Sequence, residues 1–97
     1  MSESMRHVLI IHDVEDFDAW TQVFDAAAEI RKQAGEISYQ VLRDATRPNQ
    51  IVHFSRWASH QKAKAFFESP RLVELRKEAG VRDPEFIYLI QELVGTL

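Results

Sequence analysis

Apolar and polar positions change their period several times along the chain, and each change marks an element. Residues 7–13 carry the unbroken apolar run Val8-Leu9-Ile10-Ile11, the pattern of a strand buried on both faces. From Phe17 the period becomes helical: Phe17, Trp20, Phe24, Ala27, Ile30 and Ala34 fall at intervals of three and four and form one stripe. Asp16 stands where an N-cap is needed, and Asp18 suits the positive end of the helix dipole. Arg31 and Lys32 suit the last turn, and Gly35 can take the left-handed conformation that ends it. The segment ISYQVLR (37–43) alternates as a half-buried strand does; DATRPNQ is a turn, and IVHFSRW (51–57) a third strand. Ser59 then caps a short helix carrying Ala63, Phe66 and Phe67. Ser69-Pro70 interrupts it, and proline suits the first position of a second piece that runs through Leu72, Leu75 and Ala79 to Gly80. EFIYLIQELV (85–94) predicts the last strand.

The order β-α-β-β-α-β is the split βαβ, ferredoxin-like arrangement of the α+β class. Right-handed crossovers put both helices on one face of a four-stranded antiparallel sheet, with the second helix broken at Ser69-Pro70. Residues 1–6 read as a flexible tail and 7–97 as one domain. The helices can cover only one sheet face, yet the first strand and Phe86–Ile90 are apolar on both. Burying the second face calls for a partner, and another copy packed sheet against sheet supplies it. A homodimer is therefore expected.

Composition narrows the function more by exclusion than by suggestion. Fifteen acidic against 12 basic residues give a net charge of -3, with no basic stripe for nucleic acid. There is no cysteine, which excludes disulfides, thiolate metal sites and cysteine nucleophiles. No apolar run is long enough for a bilayer, and MSESMRH lacks the apolar core of a secretory leader, so a cytoplasmic protein is the default reading. Gly35, Gly80 and Gly95 are isolated and make no phosphate-cradling pattern.

The stretches VEDFDAW..VFD......R..AG, LRD...PNQIVHFSRW and A.AFFESPRL.E....AGV.DPEF resemble the dimeric α+β barrel superfamily, most closely small proteins of the antibiotic-biosynthesis-monooxygenase type. The resemblance runs from Val8 to about Leu93 and implies a cleft between sheet and helices in each subunit, with the two sheets facing each other. The superfamily includes cofactor-free monooxygenases of polycyclic phenols, haem-degrading enzymes, lactone isomerases and members without known activity. In the haem-degrading branch the iron ligand is a histidine that the resemblance places near Arg76, with a ring-crowding Trp near Phe66 and a polar strand residue near His12. Arginine has no lone pair to give iron, and His60 lies well away, so haem degradation is not expected.

The candidate chemistry is spare. His12 and His53 lie on neighbouring strands, and if both face the helices, a neutral imidazole can take a proton from an acidic phenol or an activated C–H. The alternative is that His12 only ends a strand and His53 is a core or interface residue. Trp20, Phe24 and Phe66 can line a cleft for a flat ligand, or simply pack the helices; Phe66 and Phe67 point in different directions, so at most one is a cleft candidate. Tyr39 and Tyr88 offer phenolic groups. Arg31 can reach a carboxylate or phenolate, or else serve the helix dipole and a surface ion pair. Trp57, at a strand end, suits a lid or an interface. No metal site and no cofactor are expected, since Asp13 points away from His12. Two functional readings follow: a homodimer that binds a small apolar or aromatic molecule and oxygenates it without cofactor, or a non-catalytic ligand-binding or structural homodimer on the same fold.

Overall fold

The computed structural model describes residues 5–97. Its elements are β1 (Arg6–Val14), α1 (Phe17–Ala26), α2 (Ala28–Ala34), β2 (Glu36–Arg43), β3 (Gln50–Trp57), α3 (His60–Phe67), α4 (Pro70–Glu78) and β4 (Val81–Ile90). The four strands form one antiparallel sheet in the order β2-β3-β1-β4. This is the ferredoxin-like arrangement that the order of patterns predicts, with the break at Ser69-Pro70 in place. Ser69 caps α4 by accepting from Leu72 N, and Pro70 occupies its first turn, where no N–H is required.

Beside one-residue shifts at other strand ends, three differences from the sequence reading stand out. The helix expected over 17–34 is also two helices, hinged at Ala27. The Ala27 N–H is shared between the carbonyls of Val23 and Phe24, and the Arg31 guanidinium also donates to Phe24 O. At the break the Phe24 carbonyl thus accepts from a backbone N–H and from a side chain. Secondly, β4 runs from Val81 to Ile90 rather than 85–94. Its ladder ends where β1 begins, at the pair Arg6↔Ile90, with Gln91 N donating to Met5 O. Its early start passes through Pro84 because the ladder bulges there: Ile11 faces Glu85 and Asp13 faces Arg82, so Asp83 and Pro84 together stand opposite His12. Finally, Arg6 belongs to β1 rather than to the expected tail; residues 1–4 of that tail lie outside the described residues.

Strand alternation sorts the side chains. Val8, Ile10, His12 and Val14 face the helices and are buried, as are Ile51, His53, Ser55 and Trp57 of β3. Trp57 is core, its indole N–H donating to Ser55 Oγ and its ring packed on Phe66 and Phe67, rather than a lid. The opposite face carries Leu9, Ile11, Val52, Phe54, Ile87 and Leu89, each half-buried, together with exposed Leu42. No helix covers it. The two-faced apolar pattern of β1 is therefore resolved as one packed face and one open one.

Candidate functional site

Between the helix-facing side of the sheet and the helices lies a cleft of about 80 Å³ whose wall includes His12, His53, Trp20, Phe24, Phe66, Phe67, Arg31 and Arg76. Among the candidates, His12, His53, Trp20, Phe24, Arg31 and Phe66 are brought together here. Phe67 joins them, so both adjacent phenylalanines reach the cleft rather than one. Tyr39 does not line it. That residue is half exposed on edge strand β2, its ring edge-on to Phe24 at 5.1 Å, and borders a shallow groove on the far side of Arg31. Tyr88 also stands apart, packed against His60. His60 itself sits between β1 and β4, its Nε2–H directed at the carbonyls of Leu89 (2.8 Å) and His7 (3.2 Å).

The two histidines have opposite surroundings. His53 belongs to a buried network: Glu36 Oε2 lies 2.8 Å from His53 Nε2, and Glu36 Oε1 lies 2.6 Å from Arg31 Nε. All three side chains are buried. Burial alone would raise the Glu36 pKa, but the hydrogen bond and charge of His53, followed by the Arg31 guanidinium, outweigh it and hold the group below the usual carboxylate range. An ionised carboxylate can only accept, so His53 Nε2 donates the proton of that bond. Arg31 also lies over the Phe24 ring, its Cζ 3.6 Å from the centroid. Its expected surface role is thereby corrected: the guanidinium is consumed by a buried carboxylate, a carbonyl and a ring.

His12 has no such company. It is only 6% exposed, and neither Nδ1 nor Nε2 has a hydrogen-bond partner among the described residues. Its ring packs on Trp20 at 5.5 Å, and Trp20 stacks on Phe24 at 4.8 Å. Burial, then the charge of His53, drive its pKa from the ordinary 6.5 down to about 4; Asp13 works weakly the other way, and Arg76 with the trend. His12 is thus a neutral imidazole with one donor and one acceptor unused in an apolar wall. Leaving such groups unmet costs about 1–3 kcal/mol each, and an observation of that kind calls for an explanation.

Two residues of the site were invisible to the pattern reading. Glu36 stands just before the strand predicted over 37–43 and carried no signal of its own; the turn at Gly35 (φ +122°) folds it back onto Arg31. Arg76 entered the sequence argument only as a residue unable to bind iron, yet it lines the cleft. It is half-buried, donates to Phe67 O at 2.9 Å, and has no carboxylate partner among the described residues. Among the described residues, no three His, Asp or Glu side chains converge to hold a metal ion.

A ferredoxin-like domain with an apolar cleft, its wall made polar by His12, His53, Arg31 and Arg76, has the concave and mostly apolar form common to small-molecule sites. The chain belongs to the antibiotic biosynthesis monooxygenase family, whose sequence signature matches residues 7–80. No curated protein sequence matches it. Among solved structures it is similar to a cofactor-independent oxygenase from Streptomyces nogalater at TM-score 0.74 and 14% identity, covering 96% of this chain and 97% of that one. It is also similar to a monooxygenase from Streptomyces coelicolor in complex with nanaomycin D at TM-score 0.65 and 15% identity, covering 97% and 93%. A conserved protein from Methanosarcina mazei Go1 superposes at TM-score 0.70 and 15% identity, covering 92% and 94%. At such identities the likeness establishes the fold.

Proposed function

We propose that this protein is a homodimeric oxygenase that uses no cofactor and acts on a small, acidic, enolisable or phenolic substrate bound in the cleft. The observation that carries the reading is the pair of buried histidines on one wall, one backed by a carboxylate and one left open. Family membership supports it, as do the two oxygenases of the same fold.

His12 is a weak base. With its pKa near 4, proton transfer from an ordinary phenol of pKa about 10 spans about six units, or roughly 8 kcal/mol. His53 is placed better: Glu36 fixes its tautomer and stabilises the imidazolium formed when Nδ1 takes a proton. His12 then orients the substrate oxygen as a neutral hydrogen-bonding group. The resulting carbanion transfers an electron to dioxygen in the apolar cleft, and recombination followed by loss of water turns a CH2 group into a carbonyl. The balance is R–CH2–R′ + O2 → R–CO–R′ + H2O, which requires no outside reductant.

The open sheet face supports a dimer. Its row of Leu9, Ile11, Val52, Phe54 and Ile87 would be covered by a second copy packed sheet to sheet. Ile11→Lys would place a charge in that interface and should yield a monomer or aggregate in sedimentation, whereas the unaltered chain sediments as a dimer. An 11.3 kDa particle at micromolar concentration removes the dimer from the reading. The activity is tested by oxygen uptake against a panel of acidic phenols and enols, with 18O2 label sought in the product. Uptake should survive dialysis against chelators and fall at least a hundredfold in His53→Ala. If no member of the panel consumes oxygen while ligands still bind, the reading reverts to a binding module, which the small cleft also favours.

A further inference from the structure

The cleft wall is unbalanced in charge. It contains two arginines and no carboxylate, since Glu36 stands behind His53 rather than in the wall. Arg31 is neutralised by Glu36 at 2.6 Å, so it is not the ligand's partner. Arg76 is different: it lines the cleft half-buried, its Cζ 5.4 Å from the Phe86 ring centroid, and one hydrogen bond to a carbonyl is its only polar partner among the described residues. A half-buried cation without a counter-ion is costly, and an anion entering the cleft would supply one. Within the same wall, His12 is more than nine-tenths buried with both nitrogens unpartnered. A neutral imidazole offers one donor and one acceptor, which suits an oxyanion beside a hydroxyl better than either group alone.

Size supplies the third constraint. The cleft holds about 80 Å³. An engineered enclosed cavity that accepts benzene has roughly 150 Å³, so even a single ring must extend through the open side of this cleft, and fused rings must extend further. Those walls are interlocked aromatics: Trp20 on Phe24 at 4.8 Å, and Phe67 on Phe86 at 5.2 Å and on Trp57 at 5.3 Å. Widening the cleft would break several ring contacts together.

We infer that the cleft takes a small planar oxyanion of at most one ring that carries a neighbouring hydroxyl, with the charged oxygen on Arg76 and the hydroxyl on His12. The inference rests on the proposed site but not on oxygenation, and it names a substrate class narrower than a generic aromatic.

The test uses 4-nitrocatechol, a one-ring probe whose monoanion is coloured, and alizarin, which carries the same vicinal dihydroxy head on three fused rings. The dimethyl ether of 4-nitrocatechol is the neutral control. With the unaltered protein below the probe's pKa, binding should shift the 4-nitrocatechol spectrum toward the anion. Alizarin should bind at least tenfold more weakly, and the ether should not bind. Arg76→Gln and His12→Leu should each weaken 4-nitrocatechol at least tenfold, and Arg76→Gln should also abolish the spectral shift. Alizarin binding as tightly as 4-nitrocatechol overturns the size limit, and a bound ether or an unshifted spectrum overturns the anion. A change of less than twofold in a natively folded Arg76→Gln protein overturns the role of that residue. Should that variant not fold, the spectral shift and the ether comparison on the unaltered protein still decide. Binding without oxygen uptake removes only the oxygenase reading; uptake with alizarin alone removes only this one.

Discussion

His12 and His53 sit on adjacent strands, face the same cleft and are almost equally buried, at 6% and 4% exposure. One corner of the cleft is electrostatically closed: His53, Glu36 and Arg31 satisfy one another. The other is open: among the described residues His12 has no hydrogen-bond partner and Arg76 no counter-ion. The difference shows that burial alone does not make a histidine structural or functional. The partners do, and here they leave one imidazole held and the other available. The closed corner contributes to stability, whereas the open corner costs stability that a ligand can return.

The sharpest way to break this contrast is to open the closed corner. Glu36→Ala leaves Arg31 and His53 buried without their shared acceptor, and removing one member of a buried ionic set typically costs about 3–5 kcal/mol. Urea denaturation should show a loss of that size. A loss under about 1 kcal/mol would mean that the network is as easily replaced as a surface pair.

Acid should separate the corners next. The folded-state pKa of His12 is depressed, so between about 4 and 6.5 the unfolded chain binds a proton that the folded chain refuses. Stability is therefore unaffected above pH 6.5 and falls as pH drops through that window. The depression corresponds to about 3 kcal/mol across the full window. Glu36 acts on the other side: its folded pKa is lowered, so its stabilisation is complete above the ordinary 4.5 and is lost only as pH falls further. Denaturation curves at pH 7, 5.5 and 4.5 should show the His12 loss, and His12→Leu should flatten it. A stability profile level from pH 7 to 4.5 in the unaltered protein would contradict a buried neutral His12.

Much of this architecture was legible in the chain, because period-two and period-three-to-four patterns report which face is buried. Val8, Ile10 and His12 fall on the helix side as alternation requires. What escaped the pattern is where polar groups settle among themselves. The Ala27 hinge has no Pro or Gly to announce it; it goes with Arg31 turning inward to the Phe24 carbonyl. The Arg31–Glu36–His53 set joins a helix, the strand after it and the strand beside that one, and no spacing rule spans three elements. The bulge opposite His12 was masked because Pro84 reads as a strand start when the partner ladder is unseen.

The open corner can also be closed by substitution, with a smaller effect of opposite sign. His12→Leu removes two unmet polar atoms and fills the same wall with an aliphatic chain of similar bulk. The folded protein at pH 7 should gain about 1 kcal/mol while losing the ligand. A variant less stable than the unaltered chain would indicate that His12 has a partner, such as a fixed water, in solution.

The smallest effect is expected just outside the boundary between the two corners, at Tyr39. Its ring supports Phe24 at 5.1 Å and His53 at 6.2 Å from the exposed edge strand, but the residue does not line the cleft. Tyr39→Phe keeps both ring contacts and deletes only a hydroxyl on a half-exposed side chain. Stability should change by no more than about 0.5 kcal/mol, and 4-nitrocatechol affinity by less than twofold. Either outcome sharpens the contrast. An unchanged affinity confines ligand chemistry to the His12–Arg76 corner and makes β2 a scaffold for His53. A tenfold drop would mean that the ligand reaches past Phe24 to the sheet edge, so that the closed corner opens when the cleft is filled.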